Sequence, residues 1–69
     1  MTRTDEELIA IALDAASARG YPAGLEASVV EREPQARVLL RNPAYARGGG
    51  LVVIIEPETG DVLRAVPAL

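Results

Sequence analysis

This sequence predicts an α+β fold in which one N-terminal helix packs on a four-stranded antiparallel meander sheet. Three observations support the prediction: a helical apolar pattern behind a capping box, two segments of alternating polarity, and a terminal hairpin pattern. The 69 residues are enough for a single α+β domain over residues 1–69. A core of this size rarely supplies more than about 3–5 kcal/mol, so self-association is one route to adequate stability.

The helix is expected to begin after Thr4, where the sequence has the spacing of a capping box. The Thr4 hydroxyl can accept from the amide of Glu7, whose carboxylate can accept from the amide of Thr4. Arg19 is expected in the last turn, followed by Gly20 in the left-handed conformation. The residues that follow helical spacing, and that we expect to form the buried stripe, are Leu8, Ile9, Ile11, Ala12, Leu13, Ala15 and Ala16.

Residues 25–33 and 35–42 alternate between two sets of side chains, as strands do. Pro34 separates them and is expected to start a tight turn, because it has no amide hydrogen to donate to a ladder. Asn42 and Pro43 end the second strand. The set expected on the helix side is Leu25, Ala27, Val29, Ala36, Val38 and Leu40.

Residues 51–55 and 62–66 form two apolar runs around a turn that contains Pro57, Thr59 and Gly60, which predicts a β-hairpin. Two registers are possible. A three-residue loop at 58–60, with Gly60 left-handed, keeps Arg64 on the outer face, so we favour it. The residues that this register groups on the helix side are Leu51, Val53, Ile55, Leu63 and Ala65. A four-residue loop starting at Pro57 would bury Arg64, which is costly. The distinguishing pairs are Ile55–Leu63 and Ile54–Arg64 in the first register, and Ile55–Val62 and Val53–Arg64 in the second.

The sheet face away from the helix is expected to carry an apolar stripe with arginines at its rim. The stripe is Val30, Leu39, Val52, Ile54, Val62 and Val66, and the arginines are Arg32, Arg37, Arg41 and Arg64. An ordinary solvated face with high β-propensity is one interpretation. We favour a contact surface, because monomers seldom expose large contiguous apolar areas and because arginine is enriched at interfaces.

The predicted partner-binding residues are Val30, Arg37, Leu39, Arg41, Tyr45, Val52, Ile54 and Arg64. Tyr45, beside the glycines at 48–50, can either supply rigid contact area or lie over the helix–sheet edge. The simplest partner is a second copy of the chain, so we expect a homodimer through the sheet face or an edge strand. A different protein is the other possible partner.

The composition argues against catalysis. The chain has no Cys and no His, so disulfides, thiolate metal sites and imidazole bases are excluded. Ser17 and Ser28 have no base to activate them. The glycines at 48–50 precede an apolar strand rather than a Lys-Ser/Thr pair and a helix, unlike a phosphate-binding loop. The acidic turn at 56–61 has too few ligands for a calcium loop. We therefore predict no enzyme activity, no catalytic residue, no metal site and no cofactor.

The charge pattern narrows the partners further. The net charge is −3, with seven arginines and no lysine, whereas binding to a phosphate backbone normally needs a basic excess. Apolar runs fall short of the roughly 18 residues that indicate a membrane-spanning helix, and the N-terminus is polar and acidic. We expect no nucleic-acid or membrane partner, and a cytoplasmic location or origin as a domain of a longer protein.

Several segments together also suggest a family. They are Ile9-Ala10-Ile11-Ala12, Arg47-Gly48-Gly49-Gly50, Val53-Ile54-Ile55 and Thr59-Gly60-Asp61-Val62-Leu63-Arg64. This order resembles the small immunity proteins of the nuclear-transport-factor-2-like class, which implies a cytosolic binder that neutralises a toxin by occlusion. A helix before a sheet, with a strand–Thr-Gly–strand ending, also resembles peptidase-propeptide-like PepSY domains. That resemblance implies a regulatory or ligand-binding domain whose open sheet face holds a peptide or a small apolar molecule.

Overall fold

A computed structural model describes residues 3–43 and 50–68 of the chain. The elements are helix α1 (Asp5–Ala18) and strands β1 (Glu26–Glu31), β2 (Ala36–Arg41), β3 (Gly50–Ile55) and β4 (Val62–Ala68). The strands form one antiparallel sheet in the order β1-β2-β3-β4, and α1 contacts all four of them. The predicted α+β meander is confirmed.

Both ends of α1 follow the sequence signals. Thr4 is the N-cap of a complete capping box with Glu7. Hydrogen bonds from the Thr4 amide and hydroxyl, with the nearby Arg3 guanidinium, lower the pKa of Glu7. At the other end, Arg19, expected in the last turn, is instead the C-cap, and Gly20 has φ +86° as expected. The amide of Gly20 donates to Ser17 and that of Tyr21 to Ala16, which is the Schellman pattern.

The core lies between α1 and one face of the sheet. Its buried residues are Leu8, Ala12, Ala15, Ala16, Ala36, Val38, Leu40, Leu51, Val53 and Ile55. Three of the four buried helix residues are alanines, so the helix backbone can approach the sheet closely. The expectation for Leu13 was wrong: it remains 37% exposed. The helix meets the sheet along the line of Leu8, Ala12 and Ala15, which leaves Leu13 on the flank.

Strand β1 contains a register shift that changes which of its residues share a face. Val29 lies opposite Val38, but the next pair is Glu31 with Arg37, so Val30 is an extra residue. Glu31 is consequently placed beside Arg37 on the outer face. Arg32, expected at the rim of that face, instead pairs with Asp5 of α1 at 2.7 Å.

The β3–β4 hairpin combines both predicted registers. At the turn, Ile55 lies opposite Val62, as a four-residue loop requires. A register shift then follows, and Ile54 lies opposite Arg64, as in the favoured register. The extra residue is Leu63, expected on the helix side but 47% exposed. The shift keeps the Arg64 guanidinium out of the core although the loop has four residues. Gly60 has φ +81°, as predicted.

Arg3, the residue before the N-cap, ties the N-terminal end of α1 to the hairpin turn. The amide of Arg3 donates to the carbonyl of Pro57 at 2.9 Å, and its guanidinium donates to the carbonyl of Thr59 at 3.0 Å. The guanidinium also pairs with Glu7 at 3.1 Å. This contact joins parts of the chain that are far apart in sequence, and no local pattern predicts it.

Candidate functional site: the open sheet face

The candidate site is the sheet face opposite α1, here called the open face. Cross-strand pairing arranges it in two full rows. The first, here called the apolar row, consists of Leu39, Val52 and Val66, with Ser28 at its β1 end. The second, here called the charged row, consists of Glu31, Arg37 and Arg64, with Ile54 between the two arginines. Glu26 and Arg41 lie opposite each other next to the apolar row, on β1 and β2. Directly opposed residues share a sheet face, so these ten side chains form one surface.

The apolar row is partly accessible, whereas the isoleucine of the charged row is not. Leu39 and Val52 are half-buried, and Val66 is 43% exposed. Ile54 is only 8% exposed although no described helix covers it. It lies between Arg37 and Arg64 in register, and the apolar stems of arginine side chains can shield such a neighbour from water. Leu39, Val52 and Val66 are therefore the apolar side chains that this face offers.

The charges of the open face are unevenly distributed across the strands. At the β1 side, the Arg37 guanidinium pairs with Glu31 at 3.3 Å, and Arg41 lies opposite Glu26. At the β4 side, Arg64 lies opposite Ile54, which carries no charge. The face thus has acidic residues along β1 and a basic residue on β4. This polarity matters for any surface that docks on it.

The structure brings together six of the eight predicted partner-binding residues: Arg37, Leu39, Arg41, Val52, Ile54 and Arg64. Val30 is exposed but occupies the register shift of β1, with no residue paired opposite it. Tyr45 lies outside the described residues. Two members of the wider predicted surface move away: Arg32 pairs with the helix, and Val62 is in register with the buried Ile55.

Sequence reasoning missed Glu31 as a member of the open face. Simple alternation assigns Glu31 to the helix side and Arg32 to the outer face. The register shift at Val30 reverses this assignment for the end of the strand. The only sequence signal was chemical: of the two assignments, only one avoids placing a carboxylate beside the core.

Both edges of the sheet are poorly suited to strand addition. β1 and β4 are the edge strands, and each carries a register shift. β4 also contains Pro67, which has no amide hydrogen for a ladder. Bulges and prolines are devices that block edge-to-edge pairing. The face is therefore the better candidate surface than the edges.

Two clefts lined by described residues lie away from the open face. One is lined by Glu33, Pro34 and the turn residues 56–58, and the other by Leu13 and residues of the 17–25 segment. Across residues 3–43 and 50–68, no three His, Cys, Asp or Glu side chains are grouped so that they could hold a metal ion. Within the same ranges, no helix is both long enough and apolar enough to cross a membrane.

Comparison with models of protein families, with curated proteins and with solved structures gave no match. The geometry and chemistry of the open face are therefore the basis for inferring a function.

Proposed function

We propose that this domain is a non-catalytic protein–protein interaction module that binds its partner through the open face. One observation carries the proposal: an accessible apolar row of Leu39, Val52 and Val66 lies beside a row of charged side chains. Aliphatic side chains beside arginines are typical of the buried centre and rim of protein interfaces. Neutralisation of a toxin by occlusion, which the first resemblance implies, is one form of this function.

A protein surface fits the open face better than a small ligand does. Small-molecule sites are concave and bury most of the ligand. The open face is one side of a sheet, and neither cleft described above is lined by its residues. A sheet face with an apolar row and charged neighbours instead resembles the anatomy of a protein interface. The PepSY-like alternative would require a peptide or an apolar molecule held on this same surface.

The test compares two valines of the same strand. Val66 belongs to the apolar row, whereas Val62 is in register with Ile55 of the core; they are 43% and 37% exposed. Val66→Arg places a charge at the most exposed position of the apolar row and should abolish binding. Val62→Arg introduces the same charge at similar exposure, outside the open face, and should preserve it. Circular dichroism checks that both variants are folded.

Binding is measured as self-association and as capture of proteins from a native extract by the immobilised chain. The proposal expects at least one of these to occur with the parent chain and with Val62→Arg, and to be lost with Val66→Arg. A folded parent chain that neither self-associates nor captures any protein more strongly than Val66→Arg would refute the proposal.

A further inference from the structure

We infer that the open face binds a second copy of this chain, in a face-to-face dimer whose two-fold axis runs parallel to the strands. This inference rests on the proposed function and adds to it the identity and orientation of the partner. The interface of a two-fold dimer is self-complementary, so the charges of one open face must match those of an identical face.

Packed sheets keep their strand directions within about 30° of each other in the aligned arrangement. A two-fold axis in the interface can then run either parallel or perpendicular to the strands. The parallel axis stacks β1 on β4 of the second copy and keeps each row over its own equivalent. The perpendicular axis stacks β1 on β1 of the second copy. It places the charged row of one copy over the end of the partner sheet that carries Glu26 and Arg41.

With the parallel axis, the two surfaces complement each other. Glu31 on β1 stacks over Arg64 on β4 of the second copy, and symmetry repeats this pair at the opposite side. Leu39 on β2 stacks over Val52 on β3, so the centre of the interface is apolar. Arg64, which has no acidic residue opposite it within its own sheet, gains a carboxylate from the partner copy.

With the perpendicular axis, like charges meet. Glu31 and Glu26 lie on the same face of β1, so each would stack near the other's equivalent in the second copy. Arg37 and Arg41, on the same face of β2, would do the same. Like charges brought together in an interface oppose association. The pattern of charges thus selects the parallel axis from the two aligned arrangements.

The size of the sheet sets the strength expected of this dimer. Strands of six or seven residues rise about 3.3 Å per residue and lie about 4.8 Å apart, so four strands cover roughly 400 Å² per copy. Side chains that project from the sheet add to this area, but the area buried on both copies together is still below the roughly 1,200 Å² at which standard-size interfaces begin. We therefore expect a weak, reversible dimer with a dissociation constant of about 1 μM or weaker.

The test uses charge reversal at the two residues proposed to meet. Glu31→Arg and Arg64→Glu each place like charges at both symmetry-related contacts, and each should weaken self-association about tenfold or more at low salt. An equimolar mixture of the two variants should associate with a dissociation constant close to that of the parent chain, because each mixed pair again joins opposite charges. Sedimentation equilibrium over a concentration series measures all three, and circular dichroism confirms folding.

The control is Asp14→Arg, which makes the same change of charge as Glu31→Arg at an exposed position of α1 and should leave self-association unchanged. Stronger self-association of Glu31→Arg would indicate the perpendicular axis and overturn the proposed orientation. Failure of the mixture to recover association would refute the Glu31–Arg64 contact. A strictly monomeric parent chain would refute the dimer; the proposed function would survive that result if Val66→Arg abolished, and Val62→Arg preserved, capture of another protein.

Discussion

Gly60→Ala should destabilise the domain more than the same substitution at Gly20. The two glycines have nearly equal backbone angles, with φ +81° and +86°, so alanine is strained to a similar extent at both. That shared strain costs roughly 1–2 kcal/mol. The difference lies in the surroundings. A β-carbon at Gly20 would have no heavy atom within 4 Å, whereas at Gly60 it would lie 2.5 Å from Arg3 Nε and 3.1 Å from Ile11 Cδ1.

Alanine at position 60 must therefore displace the Arg3 side chain. The displaced Arg3 guanidinium would lose its hydrogen bond to the Thr59 carbonyl, which is 3.0 Å long in this structure. Its ion pair with Glu7 would be weakened as well. A hydrogen bond contributes about 1 kcal/mol net and an exposed ion pair at most about the same. The excess cost of Gly60→Ala over Gly20→Ala should then be roughly 1–2 kcal/mol.

Urea unfolding followed by circular dichroism measures the free energy of unfolding of both variants. In thermal unfolding, an excess of this size corresponds to a midpoint temperature that is lower by about 4–16 °C for Gly60→Ala than for Gly20→Ala. The assignment to Arg3 is checked by repeating both substitutions in an Arg3→Ala background, where the excess should shrink markedly. Equal costs for the two glycine substitutions, or an excess that persists without the Arg3 side chain, would refute the reasoning.

Three further outcomes are expected. Leu8→Ala removes a fully buried side chain and should cost about 2–5 kcal/mol in urea unfolding, whereas Leu13→Ala should cost less than about 1 kcal/mol; equal losses would contradict the placement of α1 on the sheet. Because the pKa of Glu7 is lowered in the folded state, its carboxylate stabilises the fold at pH values above the ordinary glutamate pKa of about 4.3. This stabilisation is lost as the pH falls through the folded-state pKa. Glu7→Gln should therefore flatten the acid limb of a stability–pH curve below about pH 4.3. An acid limb unchanged by Glu7→Gln would argue against the capping box. Arg32→Ala breaks an exposed pair with Asp5 and should cost about 0–1 kcal/mol without altering self-association; loss of association would place Arg32 on the binding surface.

Local signals predicted the parts of this fold that depend on short-range chemistry. The capping box at Thr4, the left-handed Gly20 and the left-handed Gly60 are each determined by a few neighbouring residues, and each was found where expected. Alternation correctly identified the helix-facing set on β2, and the favoured hairpin register did so on β3, because both are central strands paired on both sides.

The edge strands were harder to predict, because each contains an extra residue that alternation cannot show. The shift at Val30 places Glu31, rather than Arg32, on the open face. The shift at Leu63 keeps Arg64 on the outer face although the loop has four residues. In both cases the outcome keeps charge out of the core. Which residue is extra depends on the partner strand and the turn together, and that information is not local.

The open face shows the same division. Its apolar row and its arginines follow from the period of two along each strand. The shielding of Ile54 does not, because it depends on two arginines from neighbouring strands lying on either side of it in register. As a result, Val66 is a better position than Ile54 for testing the interface. A charge at Ile54 would be inserted between two arginines and would test stability as well as binding.

The most direct test of the central claim is a concentration series of methyl NMR spectra of the isolated chain. If the open face is the binding surface and a second copy is its partner, the methyl resonances of Leu39, Val52 and Val66 shift as concentration rises. Those of Val38, Leu40 and Val53, which lie under the helix, stay in place. Spectra that do not change up to millimolar concentration, or that change at the helix-covered methyl groups while the open face remains silent, would contradict the account.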